Sequence, residues 1–338
     1  MDPITTLTLR APDDWHVHLR DGPMLKAVVW HTIKQFRRAL VMPNLTPPVL
    51  TADDVHAYRA EIQDATFPTF EPLMTIKITD RTTPEIVRAA REAGAVAGKL
   101  YPEGVTTNSE DGVRSFWDLR PVFCAMRDCG MILSLHAETP GVFVMDREAN
   151  FLHQYVSPLA VSLPGLRIVV EHATSAAAVR LVDEHPNVGC TITPHHLYLT
   201  LDDVVGGALN PHAFCKPIAK THRDRDELVK AAISGHPRIF LGTDSAPHVI
   251  VKKECASGCA GVFCAPVALE TVAEVFDRHS VLHRMEHFVA EAGAKFYGLP
   301  LNTGQITLRR ETWRVPEDLQ GVRPFMAGKE LAWKSRSL

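Results

Sequence analysis

A chain of 338 residues that is 46% hydrophobic and 22% charged has apolar material for a deep core and the balance of an ordinary soluble globular protein. Its formal net charge of −3 makes no electrostatic case for nucleic acid or an anionic membrane surface as a partner. The N-terminal MDPITTLTLRAPDD lacks the basic start and apolar run of a signal peptide, and no apolar run reaches the roughly 18 residues a membrane span needs.

The seven cysteines are mostly scattered, as expected of a reduced, cytoplasmic protein. Cys124, Cys129, Cys190 and Cys215 sit in apolar or mixed surroundings and read as small buried hydrophobes. The denser CASGCAGVFC (Cys255, Cys259, Cys264) offers only three sulfurs, at a spacing that does not match a structural zinc site.

Eight β-rich runs follow in chain order. They are DWHVHL (14–19), RALVMPN (38–44), PLMTIKIT (72–79), AVAGKLYP (95–102), MILSLHAE (131–138), RIVVEHAT (167–174), VGCTITPHH (188–196) and RIFLGTDSAPH (238–248). Most are continuous apolar runs, the pattern of parallel strands buried on both faces. Helical patterning lies between them. TPEIVRAAREAG (83–94) has Pro84 near its start and Gly94 as a stop; TSAAAVRLVDEH (174–185) opens on a Thr or Ser cap; RDRDELVKAAIS (223–234) is acidic in its first turn.

Strands alternating with helices predict an α/β fold, a (β/α)8 TIM barrel. A doubly wound open sheet is the alternative, weakened because no G-x-G-x-x-G follows the first strand. The barrel core is read as residues 13–265. A C-terminal helical and irregular extension, 266–338, carries PVALETVAEVFDRH, RMEHFVAEAGAKFYG and a Pro- and Gly-punctuated tail. No low-complexity linker separates the tail, so residues 1–338 are read as one domain.

The chemistry collects at the strand ends. In DDWHVHLRDG, His16 and His18 are two apart and share one face of a strand, so they converge as metal ligands do. Two packed, hydrogen-bonded histidines are the plainer alternative. The C-terminal ends of barrel strands line a single pocket. There the first run offers His16, His18 and Arg20, the second Asn44, the fourth Lys99 and the fifth His136. The sixth offers His172, the seventh His195 and His196, and the eighth Asp244 and then His248. So many metal-competent side chains at the ends of independent strands point to a metal-dependent hydrolase.

On DWHVHLRDG, VMPNLTPP, KLYPEGVTTNSEDG, LHAE, EHAT, TITPHHL, LGTDSAPH, CASGCAGVFCAP and FYGLP, the chain resembles the amidohydrolase superfamily essentially end to end. Within it the chain resembles the compact, bacterial-type (class II) dihydroorotases. The resemblance implies two zinc ions, one on His16, His18 and Asp244 and the other on His136 and His172. It implies that Lys99 bridges them as a carbamate (N6-carboxylysine) formed with carbon dioxide. Arg20, Asn44 and His248 would hold a substrate carboxylate, Thr106 and Thr107 would lie on a closing loop, and the backbone at Lys216 and Ala260 would hold the ring. The implied reaction is the reversible cyclisation of N-carbamoyl-L-aspartate to L-dihydroorotate, a step of pyrimidine biosynthesis, in a homodimer.

The residue types suit that chemistry. Neutral imidazoles and carboxylates are zinc's usual nitrogen and oxygen donors. An ammonium has no lone pair, whereas its carbamate is a bidentate anion. A hydroxide between the zincs would be the nucleophile, and Asp244 would accept its proton and return it to the leaving nitrogen. Arg20 offers a planar fork for a carboxylate, and it shares the face of the histidines if the strand continues. Ser109 or Asp111 could cap the following helix. His195 and His196 read equally as partners orienting the metal ligands or as packing.

Lys216, in FCKPIAK, stands where relatives usually carry an apolar residue. If its side chain enters the pocket, it adds positive charge beside an anionic ligand. Two other readings compete: a different cyclic-amide hydrolase, such as a hydantoinase, and a metal-free barrel scaffold for partner proteins.

Overall fold

The computed structural model describes residues 4–106 and 109–336. Eight strands form one parallel sheet in chain order: β2 (Asp13–Val17), β3 (Arg38–Val41), β4 (Glu71–Ile78), β5 (Ala95–Leu100), β6 (Ile132–Leu135), β7 (Ile168–Val170), β8 (Val188–Ile192) and β9 (Ile239–Leu241). They coincide with the eight runs read from the sequence. Beyond β9, Ser245 bridges in parallel to Val17, and the Asp244 amide donates to the His16 carbonyl at 2.8 Å. This contact brings the last strand back to the first and makes the sheet a barrel. It does so at two of the residues expected to bind metal.

The helices start and stop for local reasons. The helix Pro84–Glu92 is capped by Thr83 and followed by Gly94 at φ 90°. The helix His222–Ile233 opens on a reciprocal Thr221–Asp224 capping box. The helix Ala176–Glu184 has Ser175 at its N-cap, without a side-chain cap bond.

Period-two alternation sets what each strand sends into the barrel. Trp15, Leu40, Leu73, Ala97, Ile132, Val169 and Phe240 pack together with Tyr297 as an apolar floor. Trp15 stacks on Tyr297 with ring centroids 4.2 Å apart. Two or four residues further along the same strands come Asn44, Lys77, Lys99, Ser134 and His136, Glu171 and Asp244. Gly242, between Phe240 and Asp244, leaves room for its neighbours: a Cβ there would lie 2.9 Å from the His16 Cβ.

The tail differs from the irregular extension expected. β10 (Gln305–Arg314) and β11 (Glu330–Arg336) pair antiparallel, and β1 (Thr6–Arg10) adds to β10. In hindsight the alternation is visible: Ile306 and Leu308, then Leu331 and Trp333, are buried between more exposed neighbours. The Pro and Gly residues of the tail serve the turns. Ile306, Leu308 and Trp333 join the main hydrophobic cluster outside the barrel wall.

Candidate active site

The imidazoles converge at the barrel mouth. Ring centroids lie 5.3 Å apart for His16 and His18, 5.0 Å for His16 and His172, and 4.8 Å for His136 and His172. Asp244 Oδ1 is 3.1 Å from His18 Nε2 and 3.4 Å from His16 Nε2. Burial pushes His18 down to about 4. It also lowers His136 and His172, the latter with help from the positive field of Lys99. Burial alone would raise Asp244, but the hydrogen bond with His18 and the fields of His16 and His18 outweigh it and hold Asp244 below the usual carboxylate range. Neutral imidazoles beside an ionised carboxylate are the protonation states metal ligands need.

Three site residues occupy the left-handed region of backbone space: Arg20 at φ 63°, His172 at 39° and Asp244 at 43°. Such conformations cost energy and persist where neighbours hold them. The Tyr58 hydroxyl donates to the Arg20 carbonyl at 2.6 Å, and the His172 amide donates to Thr191 Oγ1 at 2.7 Å. The closing Asp244–His16 bond holds the third.

Lys99 is 0% exposed, and its Nζ has no hydrogen-bond partner among the described residues. The amine lies 4.9 Å from the centroid of the Tyr101 ring, and burial pushes it down to about 8. Its cross-strand neighbour Lys77 is equally buried but pairs with Asp111. Asp111 therefore anchors the 101–112 loop to β4 and does not cap the next helix. Ser109 Oγ is likewise used within the loop, accepting from the Thr106 amide at 2.9 Å.

The groups that orient the imidazoles are carboxylates the sequence reading passed over. Glu171 Oε2 accepts from His16 Nδ1 at 2.9 Å, and the Ser134 and Thr191 hydroxyls hold Glu171 in turn. Glu138 Oε2 accepts from His136 Nε2 at 2.7 Å. Both sit inside quoted motifs, LHAE and EHAT, where a carboxylate two residues after or one residue before a histidine was the available signal. His195 and His196 do not take this role. His196 meets Thr193 and Cys215, and neither ring nitrogen of His195 has a partner among the described residues. His195, His196 and Cys215 lie close enough to form a second donor group. No such group forms around Cys255, Cys259 and Cys264 among the described residues.

Arg20 does not share the strand face, because β2 ends at Val17 and the chain turns. Instead Arg20 Nε donates to the Pro247 carbonyl at 3.3 Å, and Nη2 lies 3.2 Å from His248 Nε2. The same His248 nitrogen is 3.1 Å from the Ala260 carbonyl. A protonated Nε2 donates to that carbonyl, whereas an unprotonated Nε2 accepts from Arg20; the two bonds are alternatives.

His18, Arg20, Asn44, Thr106, His136, His172, Lys216, Asp244 and Ala260 all line one cavity, together with Tyr101, Ala246 and Gly261. His16 and Lys99 lie beneath it, and Thr107 falls outside the described residues. Gly261 is needed by its geometry: at φ 145°, a Cβ there would sit 2.5 Å from the Ala246 carbonyl oxygen.

Buried His16 Nε2, Lys99 Nζ and His172 Nδ1 thus have no hydrogen-bond partner among the described residues, with an ionised Asp244 close by. Leaving such atoms unsatisfied is costly; divalent cations would satisfy the two imidazole nitrogens, and Lys99 only once its amine had become an anionic carbamate. A closed parallel barrel with this donor set at its C-terminal mouth defines a class, and the chain belongs to the amidohydrolase family, whose model matches residues 13–313. Within that family it belongs with the dihydroorotases. It is 47% identical over 335 residues to the dihydroorotase of Sphingopyxis alaskensis, covering 97% of this chain and 98% of that protein. The crystal structure of Saccharomyces cerevisiae dihydroorotase with 5-fluoroorotic acid superposes with a TM-score of 0.93 at 34% identity, covering 99% of each chain. The L-hydantoinase of Arthrobacter aurescens shares the fold, with a TM-score of 0.83 at 17% identity, covering 98% of this chain and 83% of that one.

Proposed function

We propose that this enzyme interconverts N-carbamoyl-L-aspartate and L-dihydroorotate in a zinc-dependent reaction. The observation that carries the reading is the gathering of His16, His18, Lys99, His136, His172 and Asp244 at one end of the barrel, at a cavity that Arg20 also lines, with no hydrogen-bond partner among the described residues for His16 Nε2, Lys99 Nζ or His172 Nδ1. The Saccharomyces relative is in complex with 5-fluoroorotic acid, a pyrimidine that carries a ring carboxylate as dihydroorotate does.

His16, His18 and Asp244 would hold one zinc, and His136 and His172 the other, with Lys99 between them. The partly depressed Lys99 amine supplies the neutral form that adds carbon dioxide. Losing its positive charge also relieves the burial of an unpaired cation. Two zinc ions there would supply Lewis-acid polarisation of the ring amide carbonyl and acidification of a water molecule. Arg20, Asn44 and His248 bind the ring carboxylate. Backbone groups at Lys216 and Ala260 fix the ring plane, and Thr106 closes over it. In hydrolysis, Asp244 takes a proton from the attacking water and delivers it to the ring nitrogen as the amide C–N bond breaks.

Carbamoyl aspartate carries one more carboxylate than dihydroorotate, so ring closure consumes a proton and releases water. Lower pH therefore favours cyclisation and higher pH hydrolysis, and equilibrium ratios measured across a pH series check this. The function is tested by offering the zinc-loaded enzyme dihydroorotate, hydantoin and allantoin and following ultraviolet absorbance. Turnover of dihydroorotate alone is the expected result. Preference for a ring without a carboxylate, or inactivity with two zinc ions bound, overturns the reading.

A further inference from the structure

We infer that Lys253, which lies outside the cavity lining, is a positioning residue for its carboxylate end: its ammonium ties together the two backbone segments that frame the bound ring. The inference rests on the proposed function. Lys253 ends the short helix Ile250–Lys253 and is 3% exposed. Its Nζ donates to the Phe214 carbonyl at 2.9 Å and to the Gly261 carbonyl at 2.5 Å. It forms no ion pair among the described residues. Burial pushes its pKa down to about 8, with Cys215 and Cys259 as its ionisable neighbours.

Those two carbonyls come from different stretches of chain that adjoin at the cavity wall. Phe214 precedes Lys216 by two residues, and Gly261 directly follows Ala260. The stretches also meet directly, through the Gly261 amide donating to the same Phe214 carbonyl at 2.9 Å. From Ala260 the connection continues outward. Its carbonyl holds His248 Nε2 at 3.1 Å, and that nitrogen lies 3.2 Å from Arg20 Nη2. The ammonium and the Gly261 amide hydrogen bond together set the spacing between the Phe214–Lys216 edge and the Ala260–His248 side.

A cationic donor with several N–H groups suits the place. An ammonium offers three N–H groups and no acceptor, and the groups facing it are carbonyls. Burying a cation without a counter-charge is expensive. Removing it leaves the Gly261 carbonyl without this donor and the Phe214 carbonyl with the Gly261 amide alone, which loosens the join between the two edges.

The test compares wild type, Lys253→Met and Lys253→Arg, each loaded with zinc. Lys253→Met is expected to raise KM for dihydroorotate about 10- to 100-fold, the range for losing charged hydrogen bonds, with kcat within about threefold and two zinc ions retained. Its affinity for orotate should fall while that for uncharged dihydrouracil holds. Lys253→Arg, which keeps charge and donors, should recover most of the loss. Amide exchange at 214–216 and 259–262 should accelerate in Lys253→Met, a readout that needs no catalysis. If Lys253→Met does not fold, Lys253→Arg alone decides: wild-type KM and exchange support the clamp, and a lost preference for the carboxylate ligand with wild-type exchange overturns it. An unchanged KM, or orotate and dihydrouracil weakened alike, also overturns it. Wild type inactive on dihydroorotate removes the proposed function, and the exchange data still decide the clamp.

Discussion

Each barrel strand crosses two environments within a few residues. At the floor, Leu73, Ala97, Ile132, Val169 and Phe240 fill the interior with apolar side chains around Tyr297, whose hydroxyl is the polar exception. One step up the same faces, Lys77, Lys99, Ser134, Glu171 and Asp244 are just as buried, yet they are ionisable or polar. The three left-handed site residues, Arg20, His172 and Asp244, lie beyond the strand ends and above the floor. The floor thus supplies stability, and the mouth spends part of it on strained backbone and on unpaired groups that a ligand completes. The two buried lysines show the same division at closer range: Lys77 is paired with Asp111, and Lys99 is left open.

That contrast predicts opposite signatures for substitutions in the two layers. Lys99→Ala should lower activity by about 10⁴-fold or more and strip most of the zinc, because the group between the two cations is gone. The metal-free variant should melt no lower than metal-free wild type, since a buried, unpaired amine has been removed. Full activity in this variant would take Lys99 out of the mechanism. Phe240→Ala, on the floor, should instead cost about 3–5 kcal/mol in chemical denaturation, while the protein that remains folded keeps its zinc content. A destabilised protein that also loses zinc would mean that floor and mouth are not separable.

Glu171→Gln tests the polar layer between them. It keeps the size of the group and removes the charge that faces His16 Nδ1, so zinc affinity should fall about 10- to 100-fold with little change in fold. Competition with a chelating dye measures it. The smallest effect expected is a pH slope. Burial pushes His195 down to about 4, well below the ordinary value of 6.5. Above that ordinary value both folded and unfolded chains hold a neutral ring. As pH falls from there toward about 4, only the unfolded chain takes the proton, so stability declines across that window. His195→Gln should flatten the dependence of the urea midpoint on pH between these limits, and an unchanged slope would assign the acid sensitivity elsewhere.

Residues acting through local pattern were legible early. The eight strands stand out as apolar runs, and strand ends in such a barrel face one pocket. His16, His18, Asn44, Lys99, His136, His172 and Asp244 could therefore be gathered before any coordinate was known. Partners from distant segments could not. Glu171 reads as one more charged residue in EHAT until β6 and β8 place Ser134 and Thr191 against it. Arg20 could be assigned to the histidine face only while β2 was assumed to continue. The tail was misjudged because half-buried alternation is faint when Pro and Gly punctuate it.

By itself, then, the order of residues determined which side chains each strand carries to the mouth, because a strand's alternation is a property of its own backbone. The tertiary structure alone decided who meets whom there: which carboxylate turns each imidazole, which lysine is paired, and which carbonyls Lys253 joins. The longest of those contacts, Glu171 with His16, spans 155 residues of chain, and it exists only because the strands are brought side by side in the barrel.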